Sequence, residues 1–256
     1  MGSVDGVLLD VDGVLTVSWR ALPGAVETMR WLRERGVPFL LATNASSMTR
    51  VRLADTLRGA GIAVGAEDLV TAPAVAREFL RRRHPGAGVF QVGGQAARED
   101  LEGVRFVEED GDVVLVAGAD EDFTWERLDR AFRMLLGGAA LVAMHRNLSW
   151  MTDRGLTLDA GAFVAGLELA TGTTATVTGK PSPDFFGSCV SLLGLDPGRV
   201  AMVGDDLDAD VLAAQRCGLT GVLVRTGKFR PETLEASEQR PDLVLDSIAD
   251  LPEALG

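Results

Sequence analysis

An apolar run that ends on two carboxylates constrains this chain more than any other feature: LLDVDGVL, residues 8–15. Val7, Leu8 and Leu9 read as a buried strand, Asp10 and Asp12 follow two residues apart, and Gly13 permits a sharp turn. Side chains along a strand alternate faces, so Asp10 and Asp12 project into one small volume at its C-terminal end. Like charges held that close repel, and in a buried site one carboxyl binds a proton or both share a cation. Taken alone, Asp-x-Asp-Gly reads equally well as an ordinary polar turn after a strand.

The rest of the chain repeats the sequence of apolar strand and amphipathic helix. Residues 4–10 read as a strand, and Val26, Met29 and Leu32 recur at helical spacing across 22–35. VPFLLAT (37–43) is a second continuous apolar strand, followed by a helix from about 47 to 58 with Val51, Ala54 and Leu57 on one face. Near-continuous apolar strands alternating with helices indicate a parallel sheet covered on both faces. Past residue 71 the pattern predicts helices at 73–83, 124–136 and 160–171 with strands near 88–92, 104–107, 113–118 and 140–145. Gly93 and Gly94 lack the third glycine of a dinucleotide fingerprint and read as a strand-to-helix turn. The first pattern then returns: TATVTG (174–179), a helix at 183–194, RVAMVG (199–204), GVLVRTG (221–227) and a short strand at 242–245. The fold class is therefore α/β, a Rossmann-like doubly wound parallel sheet core made of residues 1–71 and 178–256, with a smaller α/β unit inserted at 72–177.

A net charge of −12 without a long basic tract argues against nucleic acid and anionic membranes as partners. The cluster Arg81, Arg82, Arg83 and His84 reads as the solvated C-terminus of a helix. The longest apolar run, LLGGAALVAM (135–144), falls short of the ~18 residues that cross a bilayer. Asp5 and Asp10 interrupt the N-terminal hydrophobicity, so a cytoplasmic location is expected. Cys189 and Cys217 lack ligand spacing and read as buried small hydrophobes, and His84 and His145 stand isolated.

In an open parallel sheet the site lies outside the carboxyl ends of the strands. Asp10/Asp12, Thr43/Asn44, Lys180 and Asp205/Asp206 all fall at or just past such ends. Together they offer a nucleophile, a cation site, a hydroxyl with free backbone N–H groups, and a balancing ammonium. DVDGVL, LATN, GKPSPDFF and VGDDLDAD resemble, in this order, the motifs of the haloacid dehalogenase superfamily of phosphohydrolases. The insertion between the second and third resembles the large (type C2) α/β cap of its NagD-like branch. GAFVAGLELATGTTATVTGKPSPDFF is similar to the subgroup that contains phospholysine phosphohistidine inorganic pyrophosphate phosphatase.

The resemblance implies a phosphatase acting on a small phosphorylated metabolite. By it, Asp10 attacks phosphorus to form an aspartyl-phosphate, and Asp12 protonates the leaving oxygen and later activates water. Thr43 and the amides of Asn44 and Ala45 hold the phosphoryl oxygens with Lys180. Mg²⁺ is held by the Asp10 carboxylate, the Asp12 main-chain carbonyl and Asp205, with Asp206 and Asp210 as supporting or capping groups. An aspartate at position 12 argues for phosphate rather than dehalogenase chemistry.

The chain has no tyrosine, where the related cap segment carries an aromatic pair; HRNLSWMTD keeps only Trp150, expected to pack on the cap sheet. Arg146, Asn147 and Asp153 are candidates for the cap face of the site. The alternatives to a phosphatase are a phosphotransferase or phosphomutase using the same aspartyl-phosphate, and a non-enzymatic binding module. The substrate stays open among sugar phosphates, nucleotides, pyridoxal phosphate, phosphoglycolate, phosphoamino acids and pyrophosphate, and the oligomeric state, a homodimer included, stays open too.

Overall fold

A computed structural model describes residues 4–152 and 155–256. The N-terminal part supplies strand β1 (Gly6–Leu9), a hairpin of β2 (Thr16–Val17) and β3 (Arg20–Ala21), then β4 (Phe39–Thr43) and β5 (Leu69–Thr71). The middle supplies β6 (Gly88–Val92), β7 (Arg105–Phe106), β8 (Val113–Val116), β9 (Ala140–Ala143), the hairpin β10 (Ser149–Thr152) with β11 (Gly155–Leu158), and β12 (Thr176–Val177). The C-terminal part adds β13 (Val200–Gly204), β14 (Thr220–Val224) and β15 (Leu243–Leu245).

The two chain ends form one six-stranded sheet in the order β15-β14-β13-β1-β4-β5, with every described pairing parallel. Leu9 is in register with Val203 on one side and Leu41 on the other. The strand order reverses direction around β1, so a crevice opens at its carboxyl end, where Asp10 follows. Alternation along β1 sends Val7 and Leu9 into one core, with Met29, Leu32, Leu53 and Leu57, and Leu8 into the opposite core, with Phe185, Phe186 and Cys189. Both faces are thus buried, as a Rossmann-like sheet requires.

The middle segment builds a second parallel sheet, β12-β9-β8-β6-β7, again buried on both faces. Helix Ala72–Arg83 serves both sheets: Val75 enters the core with Phe185, whereas Ala72, Ala76 and Leu80 enter the core with Val89 and Leu115.

Several boundaries differ from the sequence reading. The helix after β4 begins at Arg50, because the Thr49 hydroxyl accepts the Arg52 N–H (3.3 Å) and caps it. Leu53, Ala54 and Leu57 form its buried face, and Val51 is 62% exposed. The hairpins β2–β3 and β10–β11 escaped the pattern reading, since their strands are too short, or too exposed, to show a buried-strand signature. Gly93 and Gly94 do form a turn: both have positive φ, and a side chain on Gly94 would meet the Ala117 Cβ at 2.5 Å. Arg81 and Arg82 are solvated at a helix end and pair with Glu78. Cys189 is buried, Cys217 is half-buried, and both are free thiols. No described helix is long and apolar enough to cross a membrane.

Candidate active site

Asp10 leaves β1 with its N–H donating to the Val203 carbonyl (2.9 Å), so the strand's hydrogen bonding carries the residue to the sheet edge. Its Oδ1 accepts the Val11 N–H at 2.8 Å and lies 2.7 Å from Lys180 Nζ. Gly13, at φ +88°, turns the chain back so that its N–H reaches the Thr16 carbonyl at 2.7 Å. The hairpin that follows is closed by Ser18 and Trp19, both left-handed, and its tip forms part of the cavity wall over Asp10.

Lys180 is 3% exposed and bridges two carboxylates, with its Nζ also 2.7 Å from Asp210 Oδ1. Asn44 holds the Lys180 backbone from both sides: Asn44 Nδ2 donates to the Lys180 carbonyl (3.0 Å), and the Lys180 N–H donates to Asn44 Oδ1 (2.9 Å). Gly179 makes that approach possible, since a Cβ there would fall 2.5 Å from Asn44 Oδ1 and 2.3 Å from the Met144 carbonyl. The peptide bond Lys180–Pro181 is cis. Thr43, Asn44 and Ala45 all line the cavity, but the Ala45 N–H donates to the Thr43 hydroxyl at 3.1 Å.

Asp205 and Asp210 come from the exit of β13 and the π-helical turn Leu207–Leu212 that follows it. Asp10, Asp205 and Asp210 each present a ligand atom within 4.8 Å of the others, all buried. Asp205 Oδ2 accepts the Lys228 N–H at 2.7 Å, while its buried Oδ1 has no hydrogen-bond partner among the described residues. Gly13 and Gly227 keep the space beside it clear: a Cβ on either would lie 1.9 and 2.0 Å from Asp205 Oδ2. A buried carboxylate oxygen without a donor is costly, and three carboxylates face one ion-paired ammonium. An oxygen-only cluster with that charge excess fits a hard divalent cation such as Mg²⁺. Asp206 is the capping group of the turn, accepting the N–H groups of Asp208 (3.2 Å) and Ala209 (3.0 Å).

The electrostatics follow from burial. Burial, then repulsion from Asp10, pushes the Asp12 carboxyl up to about 6. Burial and the neighbouring carboxylates Asp10 and Asp210 hold Asp205 well above the usual carboxylate range. Burial pushes Asp210 up to about 7, opposed by Lys180 and reinforced by Asp10 and Asp206. For Lys180 burial disfavours the charge, but Asp10 and Asp210 outweigh it and hold the ammonium firmly protonated.

The second sheet closes the cavity from above. The Gly118 N–H donates to the Ser46 hydroxyl (2.8 Å), tying the loop after β4 to the loop after β8. His145, 3% exposed, lines the cavity with Nδ1 3.9 Å from Asp159 Oδ2, and burial, with Lys228, disfavours its imidazolium. Asn147 also lines the cavity, whereas Arg146 is drawn to Glu168 at 2.6 Å. Trp150 does not pack into the sheet as expected; it is 36% exposed and lines the cavity, because it lies on the short β10–β11 hairpin. Asp153 lies outside the described residues.

Asp10, Asp12, Thr43, Asn44, Ala45, Asn147, Lys180, Asp206 and Asp210 thus line the wall of one cavity, while Asp205 stands beside Asp10 and Asp210 without lining it and Arg146 does not line it. Sequence reading missed Lys228, Trp19, Asp120 and Asp159, which complete that wall. The one local signal was GK at 227–228 directly after a strand, the same dipeptide that marks Lys180.

The haloacid dehalogenase-like hydrolase family matches residues 7–107, and an HAD-hydrolase-like family matches residues 177–251. The chain is 35% identical to phospholysine phosphohistidine inorganic pyrophosphate phosphatase of Rattus norvegicus, over 100% of this chain and 95% of that protein. The crystal structure of a 4-nitrophenylphosphatase from Thermotoga maritima superposes with a TM-score of 0.92 at 31% identity, covering 99% of this chain and 98% of that one. NagD from Escherichia coli K-12 superposes with a TM-score of 0.87 at 29% identity, covering 97% and 98%.

Proposed function

The chain belongs to the haloacid dehalogenase-like hydrolases, in their NagD-like branch, and from that premise we propose that it hydrolyses a small phosphorylated metabolite through a covalent intermediate on Asp10. It is a phosphoric monoester hydrolase. The observation that carries the reading is Asp10 at the floor of the cavity, its Oδ1 fixed by Lys180 and the Val11 N–H and its other oxygen accepting no hydrogen bond among the described residues.

In this reading the free Asp10 oxygen attacks phosphorus and the ester bond breaks, which divides one difficult displacement into two easier ones. Asp12, with its carboxyl near 6, gives its proton to the leaving oxygen and then takes one from the water that cleaves the aspartyl-phosphate. Lys180 and the Thr43 hydroxyl stabilise the phosphoryl oxygens, helped by the Asn44 and Ala45 amides once the Ala45 N–H leaves the Thr43 hydroxyl. Asn44 fixes the height of Lys180 through its backbone. Mg²⁺ would be held by the Asp10 carboxylate, the Asp12 carbonyl and Asp205, and when bound it neutralises charge on the phosphoryl group.

Residues 1–71 with 178–256 serve as the catalytic core, and 72–177 as a type C2 cap whose closure excludes water from the intermediate. Phosphate release from a panel of phosphorylated metabolites, with Mg²⁺ and with excess chelator, tests the reading. Magnesium-dependent release supports it. Transfer of the group to an added hydroxyl acceptor without release would replace it with a phosphotransferase.

A further inference from the structure

His145 and Asp159 form a buried pair that the reaction above leaves unused. His145 is 3% exposed and Asp159 7%, and both line the cavity. Backbone groups fix Asp159: its Oδ1 accepts the Ala119 N–H at 3.1 Å and the Ala160 N–H at 2.7 Å, while Oδ2 is turned to His145 Nδ1 at 3.9 Å. That separation is about 1 Å beyond hydrogen-bond reach, and Nδ1 is buried without a hydrogen-bond partner among the described residues. The other ring nitrogen, Nε2, lies on the side of Gly118, where a Cβ would sit 3.5 Å from it, and Gly118 also lines the cavity. One edge of the imidazole thus faces an anchored carboxylate and the other faces the substrate space.

The polarity of the ring follows from its surroundings. Burial disfavours the imidazolium, with Asp159 opposing and Lys228 reinforcing that effect, so the ring carries one N–H and one lone pair. The N–H belongs on Nδ1, because the carboxylate oxygen it faces only accepts, and Nε2 is left as the acceptor. Such hydrogen bonds often stand long before a substrate binds and shorten in the complex. The charged side chains nearby are engaged elsewhere: Asp120 accepts the Gly94 N–H (2.8 Å) and the Asp122 N–H (2.9 Å), and Arg146 is drawn to Glu168. In the phosphatase reading the phosphoryl group meets Asp10 and Lys180 at the first sheet, so the remainder of the ester fills the space under the second sheet, where His145 follows β9. We propose that His145 is a specificity-determining residue whose Nε2 accepts a hydrogen bond from a hydroxyl of the leaving group, with Asp159 as the positioning residue that fixes the tautomer. The inference rests on the phosphatase reading and adds a class of leaving group to it: one with a hydroxyl, rather than a carbonyl or bare hydrocarbon, towards the second sheet. A buried acceptor left unpaired is costly, so a leaving group without the donor is rejected.

The test begins with the ring itself. The chain has two histidines, so long-range proton–nitrogen NMR spectra of the whole protein resolve the His145 imidazole once His84→Gln has assigned the other. The expected result at neutral pH is a proton on Nδ1. Asp159→Asn should move it to Nε2: the asparagine oxygen stays on the Ala119 and Ala160 N–H groups, which turns its amide N–H towards Nδ1. A proton on Nε2 in the wild type, or on both nitrogens, would overturn the proposal. Turnover is compared on propane-1,2-diol 1-phosphate, hydroxyacetone phosphate and propyl phosphate, which differ at one carbon as hydroxyl, carbonyl and methylene. The wild type is expected to favour the hydroxyl ester tenfold or more in kcat/KM. His145→Phe should bring the three close to equality, and Asp159→Asn should raise the carbonyl ester relative to the hydroxyl ester. Ratios unchanged by His145→Phe would overturn the proposal. Calorimetric binding of the same three esters to Asp10→Asn, with and without His145→Phe, repeats the comparison without turnover. Equal affinities there would overturn the proposal, whereas a His145-dependent preference without hydrolysis by the wild type would overturn only the phosphatase reading.

Discussion

Lys180 is bound to Asp210 as closely as to the proposed nucleophile, at 2.7 Å Nζ to Oδ1 in each case. In the proposed mechanism Asp210 holds the ammonium in place while Asp10 changes from carboxylate to acyl phosphate. Asp210→Asn keeps the shape and removes the charge. The expected outcome is a fall in kcat of tenfold or more with a smaller change in KM, and a loss of about 2 kcal/mol in folding stability by denaturant titration. Wild-type kcat in the folded variant would refute the positioning role.

Asp10→Asn is expected to abolish phosphate release, because an amide cannot serve as the nucleophile. Steady-state assay reads the loss, and mass spectrometry of the quenched protein should show the phosphoryl adduct on the wild type alone. Near-normal turnover by the variant would remove Asp10 from its role.

Asp205→Asn and Gly227→Ala address the proposed cation site from two directions. The first removes a ligand; the second places a methyl group 2.0 Å from Asp205 Oδ2 at a φ of +58°. Both are expected to raise the Mg²⁺ concentration for half-maximal activity by tenfold or more, and Gly227→Ala should also lower Tm. An unchanged Mg²⁺ dependence in Asp205→Asn would take that residue out of the metal site.

The pH dependence of stability has a defined sign. Asp12 rises from 3.8 to about 6 and Asp210 from 3.8 to about 7 on folding, so the folded protein holds protons that the unfolded chain has lost. Stability of the metal-free protein from these groups is full below about pH 4 and declines as pH rises through 6 and 7. Asp205, a proposed ligand, is also held well above the usual carboxylate range, so Mg²⁺ would compete with its proton and the stabilising shift in Tm is expected to be larger at pH 8 than at pH 5.5. Equal shifts at both values would contradict a carboxylate-bound cation.

Asn44→Ala deletes both bonds to the Lys180 backbone. The expected cost is about 1–3 kcal/mol in stability, with a drop in kcat that Asn44→Asp does not rescue, since a carboxylate cannot donate to the Lys180 carbonyl. Full activity in Asn44→Ala would show that the Pro181 side of the loop suffices to hold Lys180.

The parts legible in the sequence share one property: their geometry is local. Asp10 and Asp205 directly follow an apolar strand and Thr43 ends one, so the pattern that marks the strand also places the side chain at the sheet edge. The alternation of Leu8 against Val7 and Leu9 already implies a sheet buried on both faces. Trp19, His145, Asp159 and Lys228 were illegible because nothing in their own neighbourhoods says which cavity they face. Trp19 depends on a hairpin of two-residue strands, and Lys228 on contacts to Gly13 and Asp205, hundreds or tens of residues away. The side-chain use of Asn44 was likewise hidden, since its partner lies 136 positions on.

Helix Ala72–Arg83 offers Val75 to one core and Ala72, Ala76 and Leu80 to the other. The seam between the two halves of the molecule therefore runs along the middle of a helix and not through a linker. A chimera that exchanged the inserted half at residue 72 would transplant half of a shared wall, leaving Phe185 and Phe186 facing a stranger's side chains. Any recombination that respects this architecture must inherit the helix together with both of its neighbours, which makes specificity here harder to shuffle between relatives than the layout of the chain suggests.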